Sequence, residues 1–145
     1  METVMDLLRE RPHGLVTAVP TESVLDATRR MNVEHVGSVL VMEGGRLVGI
    51  FTERDVLRRV VGARRPPERT AVGAVMTRDV ISCPPDSPID EVAELMRSRR
   101  IRHVPIVAAA GCVVGLVSIG DVNACRFNRC ETALHQVEDY VWRRA

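Results

Sequence analysis

Two short stretches carry the polar side chains with the clearest chemistry, Gly49-Ile50-Phe51-Thr52-Glu53-Arg54-Asp55 and Gly115-Leu116-Val117-Ser118-Ile119-Gly120-Asp121. Each sets a hydroxyl three residues ahead of a carboxylate. That spacing suits a helix start, with the hydroxyl as N-cap and the Asp as third helical residue. Capping alone is a sufficient reason for either copy. Both copies keep Asp where Glu would cap equally well, which points to a second role. A helix start offers backbone N–H groups and the positive end of its dipole, and these favour phosphate. A carboxylate one turn on suits the paired hydroxyls of a ribose.

The basic residues narrow the chemistry further. The 145 residues include no lysine, so all 20 basic side chains are arginine. This excludes the P-loop lysine, the Schiff-base lysine and the kinase-type lysine. Any phosphate must be held by arginine, backbone N–H groups or helix N-termini. No G-x-S-x-G, HExxH or cysteine–histidine signature is present, so no catalytic residue is expected. The four cysteines, Cys83, Cys112, Cys125 and Cys130, form no C-x-x-C and have no nearby His pair. They read as small buried hydrophobes in a reducing compartment, with no metal site. His13, His35 and His135 read as surface or structural residues.

Composition agrees with a soluble globular chain, 46% hydrophobic and 27% charged at net charge +1. The arginine clusters Arg58/Arg59, Arg64/Arg65 and Arg97 to Arg102 are interleaved with 19 acids, and only four residues are aromatic. Nucleic acid is therefore not the expected partner. No apolar run approaches the roughly 20 residues of a membrane span. Met1-Glu2-Thr3-Val4-Met5-Asp6 has acids and no basic stretch, so no secretory signal is expected and the cytoplasm is the expected location.

The two stretches belong to a longer repeat. They match at an offset of 66, and upstream the match persists at 65. Val24, Ala27, Thr28 and Met31 correspond to Ile89, Val92, Ala93 and Met96. Val36, Val39 and Val41 correspond to Ile101, Val104 and Ile106. Even the preceding segments match, Val4-Met5 with Val75-Met76. Two units of about 60 residues each fill most of the chain.

Each unit reads β-α-β-β-α. A short strand opens it, Leu15 to Val19 or Val80 to Cys83, and proline stops it, Pro20 or Pro84-Pro85. A helix follows with apolar positions at i, i+3, i+4 and i+7. Ser23-x-x-Asp26 caps the first copy, and Pro88 suits the first helical position of the second. Two strands come next, turning at Glu43-Gly44-Gly45 and between Ala108 and Gly111. The second helix starts at Thr52 or Ser118. One such unit buries too little apolar surface to be comfortable alone, so the two should pack together. The boundaries are 7–65 and 72–128, followed by a helical tail, 129–145. Leu134, Val137, Tyr140, Val141 and Trp142 stripe that tail. Packing on its own chain and contact within a dimer stand as equal readings of the stripe.

The repeat and its paired Gly-x-x-[Thr/Ser]-x-x-Asp motif resemble a tandem pair of CBS (cystathionine β-synthase) domains, a Bateman module, from about Leu7 to Phe127. The resemblance implies an α/β (α+β) fold with pseudo-two-fold symmetry. It also implies a non-enzymatic regulatory module that binds an adenosine nucleotide in clefts between the units: AMP, ADP or ATP, less readily NAD or S-adenosylmethionine. Asp55 and Asp121 would then hold ribose hydroxyls, and Thr52 and Ser118 ribose or phosphate oxygens. Val16, Ile50, Ile81 and Leu116 would sandwich adenine. Arg102 and His103 would reach phosphate, where the first unit has the uncharged Gly37 and Ser38. Arg54 would cross over from the first unit, where the second has Gly120. The better phosphate site is thus expected from Asp121, Ser118, Arg102 and His103. The expected partners are a second copy of the chain and a regulated protein that the sequence does not identify. A structural dimerisation module with degenerate clefts and a nucleic-acid-binding CBS protein remain the alternatives.

Overall fold

The computed structural model describes residues 2–10 and 14–144, and His13 lies outside the described residues. Helix α1 (Val4–Glu10) comes first. The first unit follows as β1 (Thr17–Ala18), α2 (Val24–Glu34), β2 (Ser38–Glu43), β3 (Arg46–Thr52) and α3 (Glu53–Asp55). The helix then widens into π-type turns over Val56–Val61. A 3-10 turn (Pro67–Arg69) and α4 (Val72–Val75) lead to the second unit. That unit comprises α5 (Ile89–Arg99), β4 (His103–Val107), β5 (Val113–Ser118) and α6 (Ile119–Arg144). The two-unit α/β architecture expected from the repeat is the one observed.

Local signals explain most of these elements. The Ser23 hydroxyl accepts the Asp26 N–H at 3.1 Å and starts α2, which buries Val24, Ala27 and Met31. In α5 the buried stripe is Ile89, Val92, Ala93 and Met96. Pro88 stands just before α5 with extended backbone, at the N-cap and not at the first helical position. Gly44 and Gly45, at φ 58° and 77°, form the two-residue turn between β2 and β3. Such turns need positive φ at both central residues.

The two sheets differ, and one proline explains why. In the first unit β1 runs parallel to β2, which pairs antiparallel with β3. In the second, β4 and β5 pair alone, and the strand expected over Val80 to Cys83 shrinks to one parallel bridge, Cys83 to Ile106. The Leu40 N–H donates to the Val16 carbonyl at 3.2 Å. The 65-residue offset puts Pro105 in the place of Leu40 and Ile81 in that of Val16. Proline has no N–H, so the equivalent bond cannot form. Pairing resumes at Cys83, whose N–H donates to the Pro105 carbonyl at 3.0 Å.

Each unit's core is closed by a helix from beyond its own repeat. Phe51, Val39 and Val41 pack with Val72, Val75 and Met76 of α4 and its end. Ile89, Met96, Val104 and Ile106 pack with Val4 and Leu7 of α1. The backbone repeats this crossing. The Val72 N–H donates to the Glu22 carbonyl at 2.8 Å, and the Val4 N–H to the Ser87 carbonyl at 2.9 Å. Glu22 and Ser87 are equivalent at the 65-residue offset, so Val4 matches Val72 and not Val75 as the sequence suggested. A unit too small to close its own core thus borrows a helix at each side.

The tail continues α6 without a break. Val122 and Cys125 are buried, Arg129 is half-buried, and residues 130–143 are exposed. Leu134, Val137 and Val141 of its apolar stripe are therefore open to solvent.

Candidate functional site

The strand-to-helix junctions build the same box twice. The Thr52 N–H donates to Asp55 Oδ2 at 2.9 Å, and the Asp55 N–H donates to Thr52 Oγ1 at 3.3 Å. The Ser118 N–H donates to Asp121 Oδ2 at 2.9 Å, and the Asp121 N–H donates to Ser118 Oγ at 3.2 Å. Both hydroxyls also donate to the same carboxylate oxygen. Asp55 has two further neighbours. Its Oδ1 accepts from Thr77 Oγ1 at 3.3 Å and lies 3.8 Å from Arg59 Nε, and the residue is only 5% exposed. Asp121 is half-buried. The first N–H of each helix is already engaged, Glu53 to the Gly37 carbonyl and Ile119 to the Arg102 carbonyl.

Each box opens onto a cleft walled by both units. The Asp55 cleft holds about 560 Å³. Ile50, Thr52, Arg54 and Arg58 line it from the first unit, and Arg102, His103 and Gly120 from the second. The Asp121 cleft holds about 600 Å³ and is lined by Val16, Ser38, His103, Leu116 and Ser118, with Glu34 and His35 at its edge. Volumes of this size suit a nucleoside or nucleotide. His103 and Ser118 line both clefts. Arg54 crosses between the units, its Nη1 donating to the Arg100 carbonyl at 3.1 Å.

This grouping departs from the expected one in two places. The sequence groups Arg102 with Asp121, yet Arg102 lines the Asp55 cleft, and no arginine among the described residues lines the Asp121 cleft. Arg102 stands just before β4 and shares the Asp55 cleft with His103, whereas His103, the first residue of β4, also reaches the Asp121 cleft. Ile81 lines neither cleft. It is half-buried in irregular backbone, for want of the N–H that Pro105 lacks. One contributor was passed over for its lack of charge. Ser38 is 2% exposed, its hydroxyl has no hydrogen-bond partner among the described residues, and it lines the Asp121 cleft. It is the repeat equivalent of His103, so the offset itself was the signal.

Titration separates the polar groups of the clefts from the cysteines. Burial, with Arg102 beside it, holds His103 below the usual imidazole range, against the opposing pull of Glu53 and Asp121. It is therefore neutral near pH 7. Burial pushes the Cys83 thiol up. Cys125 is pushed up to about 11 by burial and by the Glu2 carboxylate that its thiol faces at 3.0 Å. Both are poor nucleophiles in the fold. Among the described residues no three His, Cys, Asp or Glu gather as for a metal, and no helix is long and apolar enough to cross a membrane.

Comparison with known proteins places this architecture. The family model of the CBS domain matches twice, over residues 4–62 and 72–125. The CBS domain-containing protein CBSX3, mitochondrial, of Arabidopsis thaliana is 34% identical over 125 residues, which cover 83% of this chain and 60% of that protein. The chain thus spans about three fifths of that relative's length. The crystal structure of the CBS domain protein NE2398 is 36% identical, with a TM-score of 0.82, over 87% of this chain and 98% of that one. The CBS domain pair of MJ0100, solved with 5′-methylthioadenosine and S-adenosyl-L-methionine, is 26% identical, with a TM-score of 0.78, over 89% and 98%. Two capped strand-to-helix junctions, two cores and a shared pair of clefts account for both matches, and the chain belongs to the CBS-domain family as a tandem pair.

Proposed function

We propose that the chain is a regulatory module that binds an adenine nucleotide between its two CBS units and passes occupancy on to a protein partner or to a second copy. The observation that carries this is the placement of both Ser/Thr-x-x-Asp boxes on clefts walled by both units. A ligand touching both walls favours the arrangement that closes on it, and that differential contact is what a partner reads.

The charge of the two clefts divides the ligand classes. The Asp55 cleft has Arg54, Arg58 and Arg102 for phosphate, Ile50 for the base, and Thr52 with Asp55 for ribose. The Arg102 side chain is exposed and makes no hydrogen bond or ion pair with the described residues, so its charge is uncommitted. The Asp121 cleft offers apolar Val16 and Leu116 beside Glu34 and Asp121. It suits an adenosine group of little negative charge, the class to which the MJ0100 ligands belong. Calorimetry of the ligand-stripped protein with AMP, ADP, ATP and S-adenosylmethionine tests the proposal. Micromolar binding of at least one is expected, and flat titrations for all four would sink it.

His103 adds a pH dependence. An anionic phosphate near its ring favours the imidazolium, so ATP binding should take up a proton. Affinity should rise as pH falls from 8 toward 6. Without ligand the sign is the opposite for stability. The unfolded imidazole protonates near pH 6.5 and the folded one only below that, so stability is lost as pH falls below about 6.5. His103→Gln should flatten both slopes. Calorimetry in buffers of different ionisation enthalpy reads the proton directly, and no proton uptake by the wild-type protein would refute the coupling.

A further inference from the structure

The C-terminal half of α6 lies beyond the second family match, which ends at residue 125, and projects from the domain pair. Over residues 130–143 every side chain is exposed, a stretch of about 21 Å at 1.5 Å per residue. A lone helix of that length is marginal in water.

Apart from Tyr140 and Trp142, its large apolar residues fall on one line. Phe127, Cys130, Leu134, Val137 and Val141 follow one another at steps of three, four, three and four. That is the a/d seam of a heptad repeat, with Phe127, Leu134 and Val141 at a, and Cys130 and Val137 at d. Phe127 is 63% exposed and Leu134, Val137 and Val141 nearly as much. The face that α6 buries on its own chain holds Val122, Cys125 and Arg129, at the c and f positions. These lie on the opposite side of the helix, so the seam points away from the domain pair and is open to a partner.

We propose that this seam pairs with the same seam of a second copy, as a parallel, in-register two-stranded coiled coil. Charge selects the partner and the direction. The flanking g position holds Arg126 and the e positions hold Glu131 and Glu138. In a parallel pair Arg126 faces the other copy's Glu131, twice by symmetry. An antiparallel pair sets Glu131 and Glu138 against each other. The ten seam side chains of two helices remove on the order of 1,000 Å² from water, the lower bound of a specific interface. An interface of this size corresponds to a weak, reversible dimer. It holds the two domain pairs side by side at one end.

Sedimentation of the full chain at tens of micromolar should give a dimer. Leu134→Glu with Val137→Glu should weaken it at least tenfold, with an unchanged melting profile and unchanged ATP titration. In a Cys112→Ser background, diamide should couple the two Cys130 thiols, which face each other at a d layer. The two thiols give up two electrons and two protons to diamide and form one disulfide, seen as a dimer band without reductant. A monomeric wild type, or a double variant that stays fully dimeric, overturns the proposal. Loss of the dimer in the variant without Cys130 coupling in the Cys112→Ser protein overturns the parallel register.

Discussion

Arg102→Glu is expected to weaken ATP binding about 100-fold and to leave adenosine binding within threefold. Arg102 lines the Asp55 cleft with an uncommitted charge. A hydrogen bond between charged groups contributes about 1.5–3 kcal/mol where water is partly excluded, and each 1.4 kcal/mol is tenfold in affinity. Reversing the charge removes that contact and sets a carboxylate against the phosphates. The substitution reports on binding more cleanly than one at Asp55. Asp55 is buried and holds the Thr52 N–H, Thr77 and Arg59, so Asp55→Ala reads as lost stability as well as lost binding. Arg97→Ala is the control, since Arg97 is already paired with Glu94 at 2.6 Å. Asp121→Ala should act on the other cleft, weakening an adenosine-type ligand tenfold or more. It also removes one cap of α6, worth about 1 kcal/mol. Calorimetry with ATP and adenosine on each variant separates these effects. Equal losses for ATP and adenosine in Arg102→Glu would remove phosphate from the role of that side chain.

What the sequence made legible is what rests on local rules. The α2 cap at Ser23, the reciprocal boxes at Thr52/Asp55 and Ser118/Asp121, and the turn at Gly44-Gly45 depend on spacings within four residues, and the repeat shows because those spacings recur. The features it hid depend on which chain lies alongside. Val80 to Cys83 has the composition of a strand, but its pairing is decided by Pro105 on the neighbouring strand. The resemblance puts Arg102 and His103 on one phosphate site, and which cleft that site belongs to depends on how the start of β4 faces the first unit. The crossing of α1 and α4 shows only as two similar segments, Val4-Met5 and Val75-Met76. That likeness suggested a register three residues away from the one adopted. The tail stripe was legible as apolar, but its direction was not. The buried Val122 and Cys125 on the opposite face settle that direction.

Gly49→Ala should destabilise the fold by about 3 kcal/mol and Gly115→Ala by about 1 kcal/mol, within the range for overpacking. At roughly 2–4 °C per kcal/mol for a chain of this size, the two melting shifts are easily told apart. The glycines are repeat equivalents on β3 and β5, and each faces the helix that crosses from the other side of the chain. A Cβ at Gly115 would lie 2.5 Å from Leu8 Cδ1, and all its near contacts are the end of that one flexible side chain. A Cβ at Gly49 would lie 2.5 Å from Met76 Sδ and also 3.0 Å from the Thr77 carbonyl oxygen. Methionine can turn aside, but the carbonyl cannot retreat without lengthening its 3.0 Å bond from the Ile50 N–H. Double-mutant cycles make the difference measurable. Leu8→Ala should absorb nearly all of the Gly115→Ala cost, whereas Met76→Ala should absorb at most half of the Gly49→Ala cost. Thermal and urea unfolding of the four single and two double variants decide it. Gly49→Ala no more harmful than Gly115→Ala would contradict the contact with α4. The same backbone joins stability to binding. Thr77 donates to Asp55 Oδ1 and lines its cleft, so moving it disturbs the Asp55 carboxylate. Gly49→Ala should therefore weaken ATP binding from a position that lines neither cleft, and Gly115→Ala should leave the Asp55 cleft unchanged.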